Sequence, residues 1–312
     1  MNDTKLKLQQ LKQFQILPLD AKIKLTLNRI KEWHTAYDGN VYLAFSGGKD
    51  STVLKHIIDT YYPDIPSVFC NTGLEYPEVR RFATSQKNVT IISPKMKFKD
   101  VLQKYGYPVV SKAVSRYIYE IRHCKSEHLV NLRLNGDKNG KFKIPKKWKF
   151  LIEAPFEISP ICCQIMKKQP FKTYQQKTGR KPIIATMAEE SSLRLTAWLQ
   201  KGCNAFDAKN PRSAPISFWT EQDILQYIDR ESVPIASVYG EVKREPDLFN
   251  EGKFYCSGLQ RTGCMFCMFG VHLEEEPNRF QRMKVTHPRQ YDFCMNELGL
   301  KQVLETLKVK IC

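Results

Sequence analysis

The sequence predicts an α/β fold, a doubly wound and mainly parallel sheet with helices packed on it. Three observations predict it. Short runs rich in Val, Ile and Phe alternate with helical patterns along most of the chain. Those runs are apolar throughout rather than at every second residue, as strands covered on both faces are. With 312 residues, 42% of them hydrophobic and 11% aromatic, the chain can bury a real core. Right-handed crossovers between successive parallel strands then give the doubly wound arrangement.

The elements follow in order. DAKIKLTLNRIKEWHTAY (20–37) spaces Ile23, Leu27, Ile30 and Trp33 as a helix does, with Asp20 as the expected N-cap. The strand VYLAFS (41–46) leads into the helix DSTVLKHIIDTYY, and SVFCNT (67–72) into YPEVRRFATSQ. VTIISP (89–94) precedes KFKDVLQKYG, and KPIIATM (181–187) precedes EESSLRLTAWLQ. Residues 111–150 interrupt the alternation with one long helix, SKAVSRYIYEIRHCKSEHLVNLRL, and a lysine-rich hairpin or arm. PISFWTEQDILQYIDRE reads as a turn and then a helix capped by Thr220; an irregular cysteine-bearing stretch (240–275) and a final helix around Pro288 to Leu307 complete the chain. The expected division is an N-terminal helical segment (1–40), an α/β domain with its basic insertion (41–230) and a cysteine-rich C-terminal region (231–312).

No stretch approaches the roughly 20 apolar residues of a membrane span. The polar start MNDTKLKLQQLKQF does not read as a secretory signal, so the expected location is the cytoplasm. Net charge is +17, which is either a solvated basic surface or the mark of a polyanionic partner, DNA or RNA. The charge is concentrated: DKNGKFKIPKKWKF (137–150) carries six lysines against one aspartate, interleaved with Phe142, Trp148 and Phe150. Lys146, Lys147 and Lys149 are the expected phosphate contacts, and the aromatics the stacking surfaces. Exposed aromatics beside lysines also occur in ordinary hairpins. Ten cysteines in a chain read as cytosolic suit metal or redox chemistry better than a disulfide framework.

SGGKDS (46–51) turns from strand to helix on two glycines, a geometry that aims backbone N–H groups at an anion. Its spacing is neither G-x-x-x-x-G-K-[ST] nor G-x-G-x-x-G. An ordinary glycine turn would explain the glycines but not Ser46, Lys49, Asp50 and Ser51 around them. FSGGKDS resembles the pyrophosphate-binding loop of the ATP pyrophosphatase superfamily, whose fold is of the adenine nucleotide alpha hydrolase, Rossmann-like kind. NTGLEYPE (71–78), CCQIMKKQP (162–170), ATMAEESSLR (185–194), PISFWTEQDILQYI (215–228) and RTGCMFC (261–267) resemble, in order, segments of the phosphoadenylylsulfate reductase family. The resemblance implies that Ser46, Gly47, Gly48, Lys49, Asp50 and Ser51, with Asn71, Thr72 and Gly73, bind the phosphates of ATP or of an adenylylated sulfur compound. Lys49 and Asp50 would be catalytic, magnesium would bridge the phosphates, and Lys167 and Arg194 would contact phosphate or sulfate.

Cys264 and Cys267 form a C-x-x-C, which alone could be redox, zinc or cluster. With the adjacent Cys162 and Cys163 they resemble the set holding a [4Fe–4S] cluster in the cluster-bearing adenylylsulfate reductases. Cys256 is the alternative ligand, because a similar preceding cysteine occurs in the DNA phosphorothioation sulfur-transfer enzymes. A four-cysteine zinc site is the competing reading. Three activities remain open. The first is ATP-driven sulfur transfer to an adenylated acceptor, like phosphorothioation or tRNA thiolation, with a cysteine desulfurase as donor. The second is thioredoxin-dependent reduction of adenylyl sulfate or its 3′-phosphate to sulfite, for which the chain lacks the family's terminal Glu-Cys-Gly-(Leu/Ile)-His element and offers only Cys312. The third is a non-catalytic nucleotide sensor, against which the intact SGGKDS argues. Of the six histidines, only His272 falls beside the C-x-x-C, and a packing role is expected for it.

Overall fold

VYLAF forms a strand because its β-branched and aromatic side chains fit a pleated surface buried on both faces. The computed structural model describes residues 3–246 and 252–311. Its strands are β1 (Val41–Phe45), β2 (Ser67–Cys70), β3 (Val89–Ile92), β4 (Val109–Val110), β5 (Lys181–Ile184), β6 (Asn204–Ala205), β7 (Arg212–Ser213), β8 (Val242–Glu245), β9 (Lys253–Cys256) and β10 (Met268–Phe269). The chain divides into two compact units: residues 1–71, 75–93 and 171–262, and residues 72–74, 94–170 and 263–312. This division differs from the three consecutive segments expected from sequence, since 94–170 groups with 263–312. No helix among the described residues is long and apolar enough to cross a membrane.

The first unit is a mixed α/β structure on a six-stranded sheet in the order β3-β2-β1-β5-β7-β6. Every pairing is parallel except β6 with β7. Leu43 of β1 sits opposite Ser67 on one side and Ile183 on the other. The chain winds outward from β1 to β3 and then restarts at β5 on β1's other flank, so the strand order reverses beside β1. Ligands of open α/β sheets bind at such a reversal, off the carboxyl ends of the strands. The segment leaving β1 there is SGGKDS, and it opens the helix Lys49–Tyr61, whose Val53, Leu54, Ile57 and Ile58 are buried.

Two expectations for this unit need correction. β3 is not covered on both faces: it ends the sheet, and its Ile91 is 49% exposed. Asp20 is not an N-cap. The helix runs Leu19–Ala36 with Pro18 ahead of it, and Asp20 lies in the first turn, where a carboxylate favours the positive end of the helix dipole. Thr220 does cap Glu221–Glu231 as expected, accepting from the Asp223 amide at 3.3 Å in a reciprocal capping box. Asp223 also takes the buried Lys22 ammonium at 2.7 Å on each oxygen. Removing either partner would strand a charge in the core, a loss of about 3–5 kcal/mol.

The second unit holds short helices and the two-residue parallel pair β4 and β10. The single helix expected from residue 111 is two, Lys112–His123 and Glu127–Asn135, because Ser126 caps the second by accepting from the Leu129 amide at 3.4 Å. The lysine-rich segment is not a hairpin. Lys146–Glu153 is a 3-10 helix, pinned by the Arg122 guanidinium, which donates to the carbonyls of Leu151, Ile152, Ala154 and Phe156 at 2.8–2.9 Å. Trp148, expected as an exposed stacking surface, is buried, whereas Phe142 and Phe150 are exposed. The stretch from Pro288 is also broken, into Pro288–Asp292, a π-turn at Phe293–Glu297 and Leu300–Thr306. Cys312 and residues 247–251 lie outside the described residues.

Candidate active site

The turn after β1 is held shut by its own side chains. The Ser46 amide donates to Ser51 Oγ at 3.2 Å, the two hydroxyls stand 2.9 Å apart, and Ser51 Oγ donates to the Gly48 carbonyl at 2.9 Å. Gly48 N–H donates to Ser46 Oγ at 3.3 Å. The serines therefore set the shape of the turn, a task beyond the direct phosphate contact expected of them. Gly47 adopts φ +72°, and a Cβ there would stand 2.9 Å from Val79 Cγ1 and 3.1 Å from the Val79 carbonyl. Only glycine meets both conditions. The helix that follows presents its first N–H groups without intrahelical partners, the positive end of its dipole.

Lys49 opens that helix yet is buried. Its Nζ donates to the Gln260 carbonyl at 2.9 Å, lies 2.9 Å from Glu221 Oε1 and 3.8 Å from Asp50 Oδ1. Burial alone would lower the Lys49 pKa, but Asp50 and Glu221 outweigh it and hold the group above its ordinary value. Asp50 moves upward mainly because it is desolvated, against the pull of Lys49, Arg261 and Arg194. Among the described residues Asp50 Oδ1 accepts no hydrogen bond, and Glu221 Oε1 meets Lys49 as an ion pair. Two carboxylates thus share one ammonium, and both can accept another donor or cation.

A basic pair lies close by. Arg194 and, at 3.4 Å, Arg261 both pair with the Glu190 carboxylate, which also accepts from the Met187 amide at 2.8 Å. Burial and the Arg261 charge lower the Arg194 pKa, and Asp50 raises it. Two forked guanidiniums held together against their mutual repulsion suit phosphate or sulfate. Tyr239 completes the wall: its hydroxyl is 2.5 Å from Thr262 Oγ1, and a Cβ on Gly48 would come 3.4 Å from it. Glu190, Glu221, Tyr239, Gln260 and Arg261 were not singled out from sequence. Glu190, Glu221 and Arg261 lie within quoted segments, where charge is a usable signal; Tyr239 offers none.

Of the remaining expected phosphate residues, Asn71 ends its strand with its amide on the Ile92 carbonyl at 2.8 Å. Thr72 Oγ1 accepts from the Leu74 amide at 3.1 Å, and Gly73, at φ +74°, faces open space. Thr72, Gly73 and Lys167 belong to the second unit.

In that second unit the four cysteines expected as ligands share one electrostatic neighbourhood. Cys162 and Cys163 begin a helical stretch that widens into a π-turn at Gln164–Lys168, with their sulfurs 4.0 Å apart. Cys264 and Cys267 flank a turn closed by Cys267 N–H on the Cys264 carbonyl at 3.2 Å and continued by β10. The hydrogen bond from Cys162 pulls the Cys163 pKa down to about 6, helped by Lys112, Lys167 and Lys168. Cys162 moves up as the donor of that bond, with Cys267 and Cys264 adding to the rise. Burial raises Cys267, while Arg279, whose Nη1 donates to the Cys267 carbonyl at 2.9 Å, favours its thiolate. Lys167 therefore acts here on sulfur.

A donor set of four thiols ringed by cations fits a thiolate-bound cluster or soft metal, since those cations stabilise the deprotonated ligands. The thiols are not drawn into a finished coordination sphere: among the described residues no group of three or more His, Cys, Asp or Glu stands at ligating geometry. Cys256 is placed differently. It lies on β9 in the first unit, buried, where burial raises its pKa and its charged neighbours are Lys49, Glu221 and Asp50. His272 rests edge-on against Trp148, ring centroids 4.9 Å apart, and is lowered by burial and by Lys147. Lys146, Lys147 and Lys149 are exposed along the 3-10 helix.

The family profile of the phosphoadenosine phosphosulfate reductase domain matches residues 40–126 and 107–268. An uncharacterized protein of Methanocaldococcus jannaschii is 21% identical over 276 residues, which is 86% of this chain and 51% of that protein. The chain thus spans about half the length of that curated relative. Among solved structures, a phosphoadenylyl-sulfate reductase of Candida auris in complex with phosphate is similar at 14% identity and TM-score 0.39, covering 73% of this chain and 89% of that one. An FMN adenylyltransferase of Candida glabrata in complex with ATP is similar at 13% and 0.40, covering 76% and 67%. A U34-tRNA thiolase of Methanococcus maripaludis with its [4Fe–4S] cluster is similar at 15% and 0.33, covering 74% and 69%.

Proposed function

We propose that this chain, which belongs to the phosphoadenosine phosphosulfate reductase domain family, is a sulfur-transfer enzyme that cleaves ATP between its α- and β-phosphates. The observation that carries the reading is the buried Lys49 ammonium at the start of the helix after SGGKDS, held by Glu221 and the Gln260 carbonyl. An acceptor oxygen attacks the α-phosphorus, the bond to the β-phosphate oxygen breaks, and pyrophosphate leaves. Hydrosulfide then displaces AMP, the bond from the acceptor centre to sulfur forming as the bond to the AMP oxygen breaks. Lys49 and the N–H groups of the turn meet the negative charge that builds on the departing pyrophosphate. Arg194 and Arg261 hold the phosphate chain, and Asp50 is the group for a magnesium ion carried in with ATP.

A [4Fe–4S] cluster on Cys162, Cys163, Cys264 and Cys267 would supply thiophilic iron, open to sulfur where one of the four thiolates gives way to it. The chain's own part is to keep these thiols ionised, which the ammonium groups of Lys112, Lys167 and Lys168 favour at Cys163. The net charge of +17 and the exposed lysines of 146–149 support DNA or RNA as acceptor, with a cysteine desulfurase as sulfur source and a dithiol that reduces its persulfide to hydrosulfide, becoming a disulfide. The test is anaerobic purification followed by a pyrophosphate-release assay with single-stranded DNA, RNA and no acceptor. Release stimulated by nucleic acid supports the reading, and ATP binding without release rejects it.

A second reading, reduction of adenylyl sulfate to sulfite with thioredoxin, is favoured by the family profile itself. It requires a thiolate to attack sulfur. Sulfite formed from adenylyl sulfate, and lost in Cys312→Ser, would decide for it.

A further inference from the structure

The second unit contains a cavity of about 480 Å³ that the proposed chemistry leaves unused. Trp148, Phe150 and His272 line it on one side, with Lys147, Lys308 and Lys310 around them. Trp148 is buried and tilted against Phe150 at 6.1 Å between centroids, so the two rings form one continuous apolar wall. Phe150 is left 47% exposed, and its ring contact among the described residues is the tilted one with Trp148. His272 Nδ1 is buried without a hydrogen-bond partner, and such an atom calls for a donor or acceptor from a ligand or water.

The charges around the wall do not cancel. Glu274 is taken up by Arg279, whose Nε donates to it at 2.6 Å, and Glu276 by Lys310 at 2.9 Å. Lys147 and Lys308 have no ion-pair partner among the described residues. Lys308, at φ +56°, is the left-handed residue that ends the helix Leu300–Thr306: its amide donates to the Glu305 carbonyl and the Val309 amide to the Leu304 carbonyl, both at 2.9 Å, which fixes its backbone at the cavity rim. An aromatic wall, one unsatisfied ring nitrogen and surplus ammonium groups are what an unpaired nucleotide needs: a face for its base, a partner for the base edge, cations for its phosphate.

We infer that this cavity binds one unpaired nucleotide of a single-stranded nucleic acid, the base stacking on Phe150 beside Trp148 and the flanking phosphates meeting Lys147 and Lys308. The inference rests on the reading of nucleic acid as acceptor and names where the strand is gripped. A duplex, whose bases are stacked on one another, cannot present a base to Phe150.

The test is fluorescence anisotropy with a labelled single-stranded oligonucleotide, in DNA and RNA form, and its duplex, measured without ATP across a salt series. Phe150→Ala should weaken single-strand binding by roughly five- to 150-fold and leave the salt slope alone. Lys147→Gln with Lys308→Gln should reduce the slope by about 1.4. Phe150 is half exposed, so its loss should leave the thermal midpoint near the parent value, which the same samples report. A Phe150→Ala variant that binds like the parent overturns the cavity while sparing the wider reading. A parent that binds no single strand, yet releases pyrophosphate from ATP with another acceptor, removes both this inference and nucleic acid as substrate.

Discussion

The two units solve opposite problems with charge. In the first, a cation is buried among acids: Lys49 lies with Glu221 and Asp50 at the reversal point of a six-stranded sheet. In the second, thiols lie among cations: Cys163, whose pKa is lowered, and Cys267, whose pKa burial raises, face Lys112, Lys167 and Arg279 on short elements and a two-residue strand pair. The first arrangement is braced by regular backbone hydrogen bonding, as suits a pocket that must stabilise charge without reorganising. The second has little regular structure behind it, as suits ligands whose order comes from what they bind. On the proposed reading, stiffness is invested where charge would develop, and adaptability where a soft group would be held.

The largest effect should come from Lys49→Ala, which removes the cation at the leaving pyrophosphate and should cut its release by about 10²- to 10³-fold. Iron content should stay at the parent level. The mirror experiment is Cys267→Ser, which should abolish iron binding, read by metal analysis and the visible spectrum, while ATP still binds with parental affinity. Crossed effects, iron lost from Lys49→Ala or ATP binding lost from Cys267→Ser, would break the comparison.

Gly47→Ala probes the stiff side alone. The positive φ and the contact with Val79 should cost about 1–3 kcal/mol, seen as a lowered denaturation midpoint.

Asp50→Asn gives the smallest and most diagnostic change. Because burial raises the folded-state pKa of Asp50 above its ordinary 3.8, the parent loses stability as pH rises from there through the folded value. The asparagine variant should lack that loss and be at least as stable as the parent near neutrality, while turning over more slowly. Lys49 acts at the other end of the scale. Its raised pKa contributes stability that is complete below 10.5 and lost as pH climbs through the folded value. Denaturation of both variants across pH would show a site that trades stability for function, and an Asp50→Asn variant destabilised at neutral pH would show a merely structural carboxylate.

What could be read from sequence divides along the same line. The turn after β1 was legible because local rules overlap there: an apolar run, two glycines and a helical pattern within a few residues. The cysteines were legible as a set through resemblance, although β9 carries Cys256 into the company of Lys49. The pairing of Lys49 with Glu221 and Gln260 is not legible, since folding brings those residues to it from distant segments, although the charge of Glu221 stands in a quoted one. From residue 111 the apolar rhythm predicts one continuous helix because it hides Ser126, a local cap signal. Trp148 was misplaced because alternating lysines and aromatics look alike on an exposed ribbon and on a 3-10 helix with one face buried.

The most direct measurement is the fate of the γ-phosphate. With γ-labelled ATP and single-stranded nucleic acid under anaerobic conditions, the account predicts label released only as pyrophosphate, at a rate that collapses in Lys49→Ala. Label released as orthophosphate by the parent enzyme would place the cleavage at the wrong bond and contradict it.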